Sequence, residues 1–391
     1  MTERVGVAIV GVGGAVATTA IAGIEMLKAG TNDRTGLPLA DRTNADLPGY
    51  ENLVFGGWDL SADNLGQAAL THGVIGERAL EDGAAALNDM RPWKAVGSKD
   101  FCAGIDGDNL TAASGHREAV ELIQSDLEDF RVAEKLDRVV LINLASTERI
   151  PDMNAEALQS IKAFERGLDD NDANLSPAML YAYAAIDAGI PFANFTPSVA
   201  GDARPLADLA KKKNVPIAGK DGKTGQTFMK TVIAPALRAR SLHVDGWFST
   251  NILGNRDGLA LDDPKSLASK LGTKTDVLNQ MLGYEVKDHI VMIHYYPPRG
   301  DDKEAWDNID ITGFMGQKMQ LKLNFLCKDS VLAAPLVVEI ARCLDRARQR
   351  GEGGVLSPLG VFFKSPQSAN GEPVEHGFTQ QQAALNTWLD S

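Results

Sequence analysis

The chain reads as an α/β protein: a doubly wound parallel sheet with an α+β segment inserted into it. Three observations predict this. Short, β-branched apolar runs recur in the N-terminal half, namely VGVAIVG (5–11), NLVFGGWDL (52–60) and RVVLINLA (138–145). Helical stretches alternate with them. From about residue 219 the pattern changes to longer strands with polar residues at alternate positions.

The elements follow in order. VGVAIVG suits a strand buried on both faces. A glycine turn comes next, then an Ala-rich helix to about residue 29. Residues 30–52 form a polar excursion with Pro and Gly, and 52–60 is the second strand, ending at Trp58 and Asp59. A helix near 116–135 leads to the strand at 138–145. Helices near 154–168 and 177–189 flank the polar stretch DDNDANLSP, and IPFANFTPS (190–198) is a strand with its exit loop. Further on, SLHVDGWFSTNIL, DHIVMIHYY and KMQLKLNFL read as strands whose alternation suits a sheet with one face toward solvent, a partner subunit or a site. SVLAAPLVVEIARCLDRARQR (330–350) reads as an amphipathic helix with Pro335 near its first turn. These boundaries divide the chain into 1–218 plus 331–391, which carries the doubly wound sheet, and the inserted 219–330. No internal repeat, heptad or low-complexity tract is visible.

Composition narrows the class. The chain has 391 residues, 44% hydrophobic and 23% charged, enough for two substantial domains. Its net charge of -13 argues against nucleic acid and against an anionic membrane surface. An anionic ligand therefore needs a local cluster of Lys and Arg. Cys102, Cys327 and Cys343 form no CxxC pair, so neither a disulfide framework nor a zinc knuckle is suggested, and a reducing cytoplasm is the simplest compartment. Histidines at HExxH spacing are absent. The uncharged run 5–24 follows Glu3 and Arg4, whose charges cancel and make no basic flank, and glycines interrupt it, so it reads as strand, turn and helix, not as a leader or a membrane span.

Two constellations carry chemistry. GVGGAVATT (11–19) lies between a strand and a helix. Gly11, Gly13 and Gly14 permit a tight turn and close approach to a pyrophosphate, and Ala15 and Val16 begin the helix whose N-terminus attracts it. Asp59 ends the next strand, where it either holds the ribose hydroxyls or serves as a cap. As a ribose ligand it favours NAD over a 2′-phosphate, and the excursion 30–52 is then an insertion. This makes the sheet Rossmann-like. The second constellation is GKDGKTGQT (219–227), NILGNRDG (251–258), Lys270 and Lys274. The two lysines share a face if 265–275 is helical; that face is either solvated surface or a site for an anionic, polyhydroxylated substrate. Lys223 sits in a Gly-rich loop, Lys303 follows PPRGDD, and Lys364 follows apolar residues in VFFKSP. A shielded lysine can act as acid, base or fixed cation. Asp221, Asp257, Asp301 and Asp329 accompany these lysines, each with an ordinary alternative as a turn or cap residue. Ser146, Thr147, Glu148 and Arg149 follow a strand, so they either line a ligand crevice or cap a helix.

Taken together, these motifs resemble the myo-inositol-1-phosphate synthase family. The resemblance spans nearly the whole chain: GVGG, GGWD (56–59), STER (146–149), SP (176–177), GIPFANFTPS, DGKTGQT, NILGNRDG, RGDDK (299–303), CKDSVLAAP (327–335) and FFKSP (362–366). It implies an isomerase that uses NAD without consuming it: open-chain glucose 6-phosphate is oxidised at C5, enolised, closed by an aldol step between C6 and C1, and reduced again. It also implies roles. Lys270 and Lys303 stabilise oxyanions, Lys274 holds the phosphate, and Lys364 exchanges a proton at the C5 oxygen. Asp221 and Asp329 orient lysines and hydroxyls. Thr224, Gly225, Gln226 and Asn251 contact substrate. Ser146, Thr147, Asn255, Asp257, Asp301 and Ser330 join the cofactor site, with a monovalent cation (ammonium or potassium) or a divalent metal left open beside it. A homotetramer is implied. The chain departs from the family pattern at Ala15, Val16 and Ala17, where Asn-Asn-Gly is usual, and at Lys220, where Asp is usual. It departs again at Arg256 and in NFTPS, which lacks a glycine. A net sugar-phosphate dehydrogenase, a cyclase making another cyclitol phosphate and a nucleotide-binding sensor are the competing expectations.

Overall fold

The computed structural model describes residues 3–43, 45–104, 107–254, 277–369, 371 and 373–391. The strands among them are β1 (Val5–Val10), β2 (Leu53–Asp59), β3 (Trp93–Lys94), β4 (Arg138–Asn143), β5 (Phe192–Asn194), β6 (Pro216–Gly219), β7 (His243–Leu253), β8 (Asp288–Tyr295), β9 (Asp302–Thr312), β10 (Lys318–Lys328) and β11 (Gly354–Val355). The chain separates into two units. The first holds Met1–Gly222, Ala334–Pro373 and Asp390; the second holds Lys223–Ala333, Val374–Leu389 and Ser391. Most of the helix Phe378–Asp390 therefore groups with the second unit, whereas the sequence boundaries put 331–391 with the first.

In the first unit seven parallel strands lie in the order β11-β6-β5-β4-β1-β2-β3. The order reverses at β1, which pairs with β2 on one side and β4 on the other; in a doubly wound sheet this crevice is where ligands bind. All six residues of β1 are buried, as its unbroken apolar run requires. Gly57 has φ +151, and a Cβ there would overlap the Ile9 carbonyl, so β1 and β2 meet at a point that admits no side chain. The helix Pro177–Asp187 is buried along almost its whole length. Pro177 takes its first position and Ser176 caps it, accepting from the Met179 amide at 3.4 Å.

Some elements differ from the sequence expectation. The helix expected near 154–168 is a 3-10 turn, Glu156–Leu158, followed by a helix at Ile161–Asp170. Ser160 sets this later start, because its hydroxyl accepts from the Ala163 amide at 3.2 Å. The helix Asp329–Gln349 begins early enough that Pro335 falls inside it rather than in its first turn, removing the bond to the Val331 carbonyl. The helix Gly225–Ala239, which starts at a glycine and contains Pro235, has no counterpart among the elements expected from sequence.

The second unit holds a mixed sheet in the order β10-β9-β7-β8, with β7 and β8 parallel and β9 antiparallel to both neighbours. Its core joins Trp247, Ile309 and Ile311 from one face to Ala234, Leu278 and Leu282. On the opposite face Phe248, Ile290, Met292, Trp306 and Leu326 are exposed. The register pairs Phe248 with Ile290, so the alternation read in the sequence separates the two faces. Among the described residues no helix is long and apolar enough to cross a membrane.

Candidate active site

The glycine loop forms at the reversal point of the first unit's sheet. Gly11 has φ +84, and its amide and that of Val12 donate to the Trp58 carbonyl at 2.8 and 3.1 Å. Gly14 is the N-cap of the helix Ala15–Lys28 and has no side chain to occupy the space before it. Asp59 accepts from the Gly13 amide at 2.9 Å and from the Ser61 amide at 3.0 Å, so its carboxylate braces the loop. A Cβ on Gly11 would lie 3.1 Å from the backbone of Leu144 and Ala145, which places the exit of β4, leading to Ser146 and Thr147, against this loop. Glu148 of the same motif makes a contact at a helix start. Its carboxylate accepts from the Ala178 amide at 3.0 Å, at the start of the helix Pro177–Asp187. Burial pushes that carboxyl up to about 7.

Lys364 and Asp221 are also in the first unit. The Lys364 ammonium lies 2.8 Å from Asp221 Oδ1. Their backbones pair as well: the Lys364 amide donates to the Asp221 carbonyl at 2.6 Å, and the Asp221 amide to the Thr196 carbonyl at 3.1 Å. Asp221 has φ 60, a left-handed conformation that Asp tolerates better than most residues. Lys220, for which the sequence suggested no role, donates to Asp202 at 2.6 Å.

In the second unit Lys303 lies 3.3 Å from Asp329 Oδ2. Thr224 occupies the N-cap position of the helix Gly225–Ala239, yet it makes no side-chain cap bond. Its hydroxyl donates instead to Asp329 Oδ1 at 3.0 Å. A Cβ on Gly225 would sit 3.9 Å from Lys303 Nζ, so the ammonium lies beside the start of this helix. The helix N-terminus, a lysine and a threonine hydroxyl together favour an anion. Asp301 accepts from the Ser330 hydroxyl at 2.7 Å and from its amide at 3.2 Å. Cys327 pairs with Lys303 across β9 and β10, and burial pushes its thiol up to about 11.

Beneath this cluster lies a polar network that sequence reasoning missed. Asp307, 3% exposed, accepts from Trp247 Nε1 at 2.6 Å, Ser249 Oγ at 2.7 Å and Gln226 Nε2 at 3.2 Å. Asn251 donates to Gln226 Oε1 at 2.8 Å. Gln226 and Asn251 thus spend these side-chain groups on the interior and on each other. Lys230 lies 2.8 Å from His289 Nε2, and burial lowers its ammonium to about 8 against the opposing effect of Asp307. Lys223 is buried beside Gln381 Oε1 and the Phe378 ring, and desolvation lowers it to about 7. One signal was available for Asp307: it shares the period-two inner face of β9 with Lys303, Ala305 and Ile309.

Lys270, Lys274, Asn255 and Asp257, with the helix expected at 265–275, lie outside the described residues. Among those described, no group of three or more His, Cys, Asp or Glu could hold a metal ion.

The sequence model of a family described as myo-inositol-1-phosphate synthase matches residues 42–390. The chain belongs to that family. It is 40% identical to inositol-3-phosphate synthase 1 of Bacteroides thetaiotaomicron over 99% of this chain and 95% of that protein. It is 32% identical to inositol-3-phosphate synthase 1 of Oryza sativa subsp. japonica over 86% of this chain and 70% of the relative. The solved structure of inositol-3-phosphate synthase from Caenorhabditis elegans superposes with a TM-score of 0.91 at 25% identity, covering all of this chain (100%) and 86% of that one. A myo-inositol-1-phosphate synthase-related protein from Thermotoga maritima gives 0.81 at 25% identity, with 99% of each chain covered.

The first unit fits the NAD that this synthase family binds. A left-handed glycine, a cap without a side chain and a helix of 14 residues meet at the sheet's reversal point. These features admit a pyrophosphate and supply positive potential for it. Ala15 and Val16 occupy the first helical turn.

Proposed function

We propose that this chain is an NAD-dependent isomerase that converts D-glucose 6-phosphate into 1D-myo-inositol 3-phosphate. The observation that carries the reading is a pair of carboxylate-held lysines, Lys303 with Asp329 and Lys364 with Asp221, in a chain 40% identical to a named inositol-3-phosphate synthase. Bound NAD supplies a hydride acceptor at C5 and, once reduced, the donor that restores it. The chain's residues do the rest. Lys364 exchanges a proton at the C5 oxygen, with Asp221 holding its ammonium. Lys303, steadied by Asp329, lies beside oxygens on which negative charge develops as the C6 proton leaves and C6 attacks C1. Holding the open chain folded supplies effective molarity for ring closure. Lys270 shares the oxyanion role. Lys274, with Thr224 and the helix-start amides of Gly225 and Gln226, grips the phosphate, and Asn251, whose amide nitrogen is spent on Gln226, offers its side-chain oxygen to a hydroxyl. Gly11, Gly13, Gly14, Ala15, Val16, Asp59, Ser146, Thr147, Asn255, Asp257, Asp301 and Ser330 hold the cofactor.

The assembly we infer is a homotetramer in which the outer face of the β10-β9-β7-β8 sheet packs against another copy. Its exposed Phe248, Ile290, Met292, Trp306 and Leu326 support this. Three cysteines in 391 residues, with no CxxC pair, suit a cytoplasmic protein.

The test is incubation with excess glucose 6-phosphate and substoichiometric NAD, followed by phosphorus NMR and NADH absorbance. Inositol phosphate should accumulate over many turnovers with no net NADH. Stoichiometric NADH without inositol phosphate would make the protein a dehydrogenase. A different cyclitol phosphate would reassign the product.

A further inference from the structure

The Lys364–Asp221 pair stands on a backbone that needs holding. Asp221 is in the left-handed region at φ 60, a conformation that costs a non-glycine residue some strain unless its surroundings support it. Two strips of chain surround it. Lys220 and Ser365 exchange backbone hydrogen bonds at 2.9 and 3.1 Å, next to the bond from the Lys364 amide to the Asp221 carbonyl. The third support is a side chain. Lys220 donates to Asp202 Oδ2 at 2.6 Å, and Asp202 Oδ1 accepts from the Ala200 amide at 2.9 Å. This ties the exit of β6 to the loop after β5. The ion pair is about three-quarters shielded, with side chains 24% and 20% exposed, so its geometry is restrained.

We propose that Lys220 and Asp202 form a strut that fixes the Asp221 backbone and thereby aims Lys364, making Lys220 a positioning residue for proton transfer at C5. This rests on the reading of Lys364 and Asp221 given above.

Kinetics with glucose 6-phosphate test it. Lys220→Met keeps the apolar stem and removes the ammonium. A misplacement of about 1 Å at a reacting group costs up to about 100-fold, so kcat should fall by about tenfold or more while KM stays within about twofold. Lys220→Arg, which still reaches Asp202, should keep most activity. The double swap Lys220→Asp with Asp202→Lys should recover what either single swap loses. A Lys220→Met enzyme within about threefold of the parent kcat would overturn the strut, since the expected loss is larger than that. So would a double swap no better than its singles. If Lys220→Met does not fold, the Arg variant and the double swap decide the matter. Lys364→Ala, run in parallel, separates the two ideas: an active Lys364→Ala sinks the catalytic reading itself, whereas an inactive one beside a normal Lys220→Met sinks only the strut.

Discussion

Asp307 shows how much one side chain can organise. It satisfies the donors of Trp247, Ser249 and Gln226 in the interior of the second unit. Asp307→Ala strands all three, and urea unfolding should show a loss of about 3 kcal/mol. Asp307→Asn should lose less, because it keeps an acceptor. Glu148 makes a pH prediction. Its carboxyl stands at about 7 in the fold against an ordinary 4.5, because burial disfavours the charged form. Below 4.5 both states hold the proton and this group's stabilisation is complete. As pH rises toward 7 the unfolded chain releases the proton first, so the stabilisation is lost, to an extent on the order of 3 kcal/mol. Glu148→Gln retains an acceptor for the Ala178 amide. Unfolding curves at acid and neutral pH should show that it removes this decline, and an unchanged pH slope would count against the buried acid.

At the scale of elements, the contact between β1 and β2 shapes the glycine loop. Gly57 lies beside Ile9 at φ +151, and the carbonyl of Trp58, one residue on, anchors Gly11 and Val12. Gly57→Ala should cost at least about 2 kcal/mol in thermal unfolding and weaken NAD binding measured by calorimetry, since both strain and overlap act on the strand that holds the loop. A variant of parental stability would show that β2 can shift. Element boundaries were the least legible feature of the sequence. Ser160, Gly225 and Pro335 are ordinary residues in the one-dimensional pattern, and only their hydrogen-bond partners show which start helices and which lie within them.

For the whole molecule, the exposed apolar face of the second sheet makes assembly testable. Phe248→Asp puts a charge at the centre of that face, beside Ile290 in the register. Sedimentation should show a smaller species than the parent forms, with the far-UV spectrum preserved. An unchanged assembly would place the subunit contacts elsewhere. The net charge of -13 bears on the same scale: a phosphate ligand approaches against the overall field, so its capture depends on local lysines and helix N-termini and should weaken as salt rises.

Sequence alone determined the doubly wound sheet, the glycine loop and the family, and it named Lys303, Lys364, Asp221 and Asp329 as candidates. All of these are written in local pattern: periodicity, glycine at a strand-to-helix turn, and motifs in a fixed order. Tertiary structure alone decided the partners. Lys364 finds Asp221 across 143 residues of chain, and Lys220 finds Asp202 where no spacing announces it. Asp307 is a core residue rather than a surface one because the register of β9 turns it inward. The physical reason is that burial and pairing come from contacts distant in sequence. A charged residue in the one-dimensional pattern carries no mark of whether water or another side chain will neutralise it.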